Sequence, residues 1–248
     1  MKKILLISLL VSSLFSQSNK IFNLNQEEFI INNVSTNNAT IDKGNLKIGQ
    51  SGIIIHRYTD GNIVIVANAT VETTSNNNST LKISETSLLE QTALPNTSLK
   101  AKNNDIFILN HLYSASLLVV PNFESSSKIQ KLFNKQNFIN SDIFASYLKI
   151  ENNPLPTRED FQVFCKKQNI GTLFIVIKNN FYILDVATFK TLNKSSLSIN
   201  DTTIQVPFFT KVNDIKKNAL KFWDFSDEYI KDYDNYYLSL INNSKGSL

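Results

Sequence analysis

Cysteine is nearly absent. Cys165 is the only one in 248 residues, so no internal disulfide can form and the fold must rest on packing. It falls on the apolar face of a predicted helix, where a lone thiol reads as a small buried hydrophobe. Histidine is almost as scarce. His56 and His111 each follow an apolar run and stand apart, without the ligand spacing of a metal site. No Gly-x-Ser-x-Gly segment is present to present a nucleophilic serine. The close glycine pair, Gly49 and Gly52, leads into a strand-like run, whereas a phosphate cradle leads into a helix. The clustered carboxylates Asp224, Asp227, Glu228, Asp232 and Asp234 alternate with aromatics at helical spacing, which reads as a solvated face and not as a calcium loop. No catalytic, cofactor-binding or metal-binding residue is therefore expected, and an enzyme is not the expected class.

Charge of one sign is lacking too. The formal net charge is +4. Without Lys2 and Lys3 the remainder carries 23 basic against 21 acidic residues. Arginine occurs only at Arg57 and Arg158, while lysine and asparagine abound. Nucleic-acid binding needs a strong basic field, so a nucleic-acid partner is not expected. No apolar run reaches the roughly 20 residues of a membrane-spanning helix, and none is expected after the leader.

What is there begins with Met1-Lys2-Lys3, an apolar stretch from Ile4 to Phe15 broken by serines, and Ser16-Gln17-Ser18. A basic start, a short apolar middle and small residues around a polar one make a secretory signal peptide. The expectation is export, to the periplasm or to the outer membrane and cell surface.

The first half then reads as β. Gly52 to Tyr58 and Asn62 to Ala67 flank Thr59-Asp60-Gly61; Asp-Gly between β-branched runs is a hairpin signal. Thr70 to Thr74, Thr80 to Ser84, and a pair made of Asp105 to Leu109 with Ser116 to Val120 extend the pattern towards a small barrel or sandwich. After Pro121 the period becomes helical. Ile129, Leu132 and Phe133 share one face, Ser141 can cap a second helix, and Thr157 with Asp160 forms a capping box for a third. Gly171 is expected to take the left-handed position after that helix. A strand from Thr172 to Lys178 and its partner Phe181 to Leu184 follow, with Thr188 to Leu192 as a further edge. Ser226 can cap a last helix with Tyr229, Ile230, Tyr233, Tyr236, Tyr237, Leu240 and Ile241 on one stripe, which reads first as docking surface and second as partner surface. The expected class is α+β: leader 1–18, a β-rich barrel-like unit 19–121, an α+β unit 122–212, and an amphipathic helical segment 213–248.

Several pieces, taken in order, resemble the N-terminal domain family of plasminogen-binding proteins of host-colonising Gram-negative bacteria. They are Leu46 to Ile54, Lys102 to Asp105, Val119 to Phe123, Ser141 to Leu148, Arg158 to Phe161, Cys165, Ile170 to Phe174, Pro207 to Phe209, and Tyr236-Tyr237. The resemblance spans roughly residues 45 to 241. It implies an exported envelope or surface protein with a protein partner, host plasminogen, whose kringle modules hold a lysine ammonium between carboxylates and aromatic walls. Members with this activity carry a lysine-rich extension, whereas this sequence ends Lys245-Gly246-Ser247-Leu248. The expected substitute is internal: Lys231 beside Asp227 one helical turn away, with Tyr236, Tyr237 and Lys245 as further partner-contact residues. The alternative expectation is a structural subunit of a periplasmic assembly.

The leader yields a direct prediction. Intact mass of the exported chain should begin at Asn19; recovery of the protein in the cytosol with Met1 to Ser18 attached would contradict it.

Overall fold

A computed structural model describes residues 22–84, 99–213, 215 and 229–242. Six strands come first: β1 (Glu27–Asn32), β2 (Asn38–Ile41), β3 (Ser51–Arg57), β4 (Ile63–Thr74), β5 (Ser79–Ser84) and β6 (Ile106–Leu109). They close into an antiparallel barrel in the order β1-β2-β5-β4-β3-β6, which leaves the sheet no open edge. Alternation drives closure. Phe107 and Leu109 of β6 are buried while Ile106 and Ile108 are half-buried, and the inward set includes Ile31, Ala39, Ile41, Ile54, Ala69, Val71 and Leu81. The β3–β4 turn forms at Thr59-Asp60-Gly61 as the sequence predicts. Gly61 adopts a φ of +87°, and the Tyr58 amide donates to the Asn62 carbonyl at 2.9 Å.

The second unit holds β7 (Ala115–Val119), α1 (Phe123–Leu132), β8 (Asn137–Ile139), α2 (Ser141–Ile150), α3 (Arg158–Lys167), β9 (Thr172–Ile177), β10 (Asn180–Asp185), β11 (Thr191–Ser196) and α4 (Tyr233–Asn242). Its sheet runs β11-β10-β9-β7-β8. Strand β7 pairs in parallel with both β8 and β9, and β9, β10 and β11 form an antiparallel meander. The chain steps from β7 to β8 through α1, then back past β7 to β9 through α2 and α3. Parallel crossovers have one hand, so reversing direction puts the helices on opposite faces. Residues of β9 alternate accordingly. Leu173, Ile175 and Ile177 pack with Phe144, Phe161, Phe164 and Tyr237; Phe174 and Val176 pack with Ile129 of α1 and with Phe133, which caps its end. All six residues of β9 are buried, as expected for a strand covered on both sides.

Four local expectations need correction. The Asp105–Leu109 and Ser116–Val120 runs do not pair: β6 closes the barrel and β7 sits between β8 and β9 in the other sheet. The cap of α2 is Asn140, whose side chain accepts from the Asp142 amide, and Ser141 is the first helical residue. Gly171 does not hold the left-handed position after α3. Asn169 does, at a φ of +55°, and Gly171 is needed because a Cβ there would lie 2.5 Å from the Leu112 carbonyl carbon. Helix α4 starts at Tyr233, because Asp232 accepts from the Asn235 amide at 3.0 Å and so caps it; the expected cap, Ser226, lies outside the described residues. The Thr157–Asp160 capping box of α3 is present in both directions.

Phe144 is fully buried and touches the rings of Tyr147, Phe161, Phe164 and Phe208. Phe144→Ala should cost about 3–5 kcal/mol in denaturant unfolding; a loss below about 1 kcal/mol would show that this cluster does not hold the helices on the sheet.

Candidate functional site

Residues Leu197 to Lys211 carry no regular structure beyond β11 yet are tied at almost every step. In open α/β sheets the carboxyl ends of the parallel strands are where crevices form. Here that end is crossed by the chain itself. The Gln205 amide donates to Pro121 O at 2.9 Å and the Phe209 amide to Val120 O at 2.8 Å, just beyond β7. Asn122 caps α1 through Oδ1, accepting from the Ser125 amide at 2.9 Å. Its Nδ2 donates to the carbonyls of Asp201 and Thr203 at 3.0 and 2.9 Å. Glu124 Oε2 accepts the amides of Asn200 and Asp201 at 3.0 and 2.6 Å. Its other oxygen pairs with Lys128 at 2.6 Å, and that ammonium is the first cause holding the Glu124 carboxyl below its usual range.

At the far end of this strap, Asp142 in the first turn of α2 accepts the Thr210 hydroxyl at 2.6 Å and the Lys211 amide at 2.7 Å. The Thr210 bond, followed by the Lys211 bond, lowers its carboxyl from the ordinary value. Ser141 Oγ donates to Phe209 O at 3.1 Å. Phe208 is fully buried, stacked on Phe144 at 5.6 Å.

The surface left by this arrangement is apolar. Phe123 is 69% exposed, Ile204 54% and Val206 40%. Phe123 meets the half-buried Phe209 edge-on at 6.1 Å. Two shallow depressions meet at Phe123. One, of about 230 Å³, is bounded by Pro121, Ile204 and Phe209. The other, of about 370 Å³, lies along α1 between Phe123, Ser127, Gln130, Lys131 and Asn134. Lys131 is exposed and forms no ion pair among the described residues. A large exposed ring at one end of a depression, with an exposed cation two helical turns along it, is surface that a partner can cover.

The residues expected to contact a partner are scattered. Lys231 is exposed just ahead of α4. Asp227 and Lys245 lie outside the described residues. Tyr236 is half-buried and donates to Pro156 O at 3.0 Å. Tyr237 is fully buried and donates to Pro207 O at 2.8 Å; its surface is spent on holding the strap. Burial pushes both phenols up, Tyr236 to about 12 and Tyr237 well above the ordinary value. The exposed Phe123 was not singled out by sequence pattern, although Pro121-Asn122-Phe123 at the end of an apolar run is the available signal: a helix cap followed by a residue whose side chain need not face the core.

Other polar groups are turned inward. His56 Nδ1 lies 2.6 Å from buried Asp105, whose second oxygen accepts the Lys102 amide at 2.9 Å. Burial pushes the Cys165 thiol up to about 12, so almost none of it is thiolate at neutral pH. Among the described residues no group of three or more His, Cys, Asp or Glu could hold a metal ion, and no helix is long and apolar enough to cross a membrane.

A family model described as Plasminogen-binding protein pgbA N-terminal matches residues 27–241. Two curated relatives, both named Plasminogen-binding protein PgbA, come from Helicobacter pylori strains J99 and 26695. The first is 27% identical over 201 residues, covering 81% of this chain and 44% of the relative. The second is 26% identical over 201 residues, covering 81% and 43%. The chain thus spans less than half the length of these relatives. No solved structure matches.

The Asp142 contacts set a pH sign. A carboxyl lowered in the fold stabilises above its unfolded pKa, and that stabilisation is lost as pH falls through the folded value. Protection of the Lys211 amide, its exchange relative to the unfolded rate at the same pH, should therefore fall on acidification below about pH 4, and Asp142→Asn should lower it already at pH 7. Unchanged protection in both cases would contradict the strap's dependence on this carboxylate.

Proposed function

The chain belongs to the plasminogen-binding protein pgbA N-terminal family, and on that premise we propose that it is an exported protein-binding module whose partner is plasminogen. The observation that carries this reading is the exposed Phe123–Phe209 ledge, with Lys131 lining the same depression two helical turns along α1 and forming no ion pair among the described residues. Withdrawing a phenyl ring from water contributes on the order of 2–3 kcal/mol. An ammonium at the rim of the same depression adds attraction for a carboxylate-lined pocket and sets orientation. The ledge rests on a segment bonded along its length, so little ordering remains to oppose association. Lys231 is another exposed cation on the same unit and belongs to the proposal as a subsidiary contact. Export is supported by the basic, apolar and small-residue order of the first eighteen residues.

The test is capture of plasminogen by residues 19–248, with and without a free lysine analogue. We expect capture that the analogue competes. Phe123→Ala should weaken it about tenfold, which corresponds to roughly 1.4 kcal/mol. Lys131→Glu should weaken it further, and Lys231→Ala less than either. Failure to capture at micromolar concentration, or capture indifferent to all three changes, would overturn the proposal. Copurification with periplasmic neighbours in place of plasminogen would favour the assembly-subunit alternative.

A further inference from the structure

We propose that Asp185 is a conformational lock between the barrel and the mixed sheet, one carboxylate whose hydrogen-bond donors come from both units and hold them as a single body. Asp185 ends β10 and is fully buried. Its Oδ2 faces the barrel. There it accepts the Ser51 amide of β3 at 3.1 Å, the Ser51 hydroxyl, and, from the connection between the units, the Tyr113 hydroxyl at 2.7 Å. Its Oδ1 accepts the Thr188 amide at 2.7 Å. The Thr188 hydroxyl lies 2.9 Å from both Asp185 Oδ1 and the Gly49 carbonyl, so its one proton is shared between the two units. Among the described residues no lysine, arginine or histidine forms an ion pair with Asp185.

A buried carboxylate without a counter-ion must be held by dipoles or give up its charge. Burial pushes the Asp185 carboxyl up, and the bonds from Ser51, Tyr113 and Thr188 oppose this. The titratable groups around the lock are few. Tyr113 is raised well above its ordinary value, by burial first and by the Asp185 charge next. His111, two residues earlier in the connection, is lowered by burial. Lys190 lays its aliphatic stem on Gly49, where a Cβ would meet it at 2.7 Å. Pulling the units apart strips Oδ2 of both Ser51 donors at once, and Ser51 loses its acceptor. The same turn therefore supplies the charge, the shared threonine and the packing stem. Phe22 and Leu24, packed against the sheet, add apolar contact but no comparable directional bond.

Asp185→Asn tests this, because an amide places a donor where either Ser51 or Thr188 already presents a backbone donor. Calorimetry of the variant should resolve two transitions in place of one, and protease should cut between Asn110 and Tyr113. A single unshifted transition with the connection still resistant overturns the proposal. If that variant does not fold, Tyr113→Phe decides. Exchange of the Ser51 amide should then rise at least tenfold while the Leu81 amide inside the barrel stays unchanged; equal behaviour of the two amides overturns the proposal.

Discussion

One buried carboxyl that forms no ion pair among the described residues sets the terms for this molecule. Asp185 is kept in the interior by neutral donors from β3, from the connection at Tyr113 and from its own turn. Such a group tolerates no partial arrangement, since each lost donor leaves desolvation uncompensated. The barrel and the mixed sheet, each with its own apolar core, therefore meet in one orientation. Glycine at 171 serves the same junction by letting its backbone approach Leu112, where a side chain would collide.

The rigid frame explains why the exposed ledge stays where it is. The carboxyl end of β7 would be an open crevice if residues 198–211 did not cross it. Asn122, Glu124 and Asp142, all at helix amino ends, convert what α/β proteins use to hold ligands into fasteners for the protein's own backbone. Tyr237 and Phe208 fix the same segment from beneath. The polar groups at this end are occupied internally, and the apolar ones, Phe123 and Ile204, are left outside.

Much of the fold was legible. The Asp60-Gly61 turn, the Thr157–Asp160 box, the run at β9 and the β-rich first half all follow from local rules that the tertiary structure does not override. The misassignment of β7 has a physical cause. A five-residue apolar run buried on both faces carries no record of which neighbour it pairs with, and its parallel partner β8 is only three residues long. The tyrosine stripe of α4 reads first as docking surface, and Tyr233 and Tyr237 are buried; periodicity alone cannot tell a ring that docks internally from one that awaits a partner. Phe123 was missed because exposure of a single ring is decided by what the strap covers, 80 residues later in the chain.

Amide exchange across the whole chain, free and saturated with plasminogen, tests the central claim most directly. The account predicts protection on α1 and residues 201–209 and, more weakly, around Lys231, with the barrel strands unchanged. Protection on the barrel with none along α1 would contradict it.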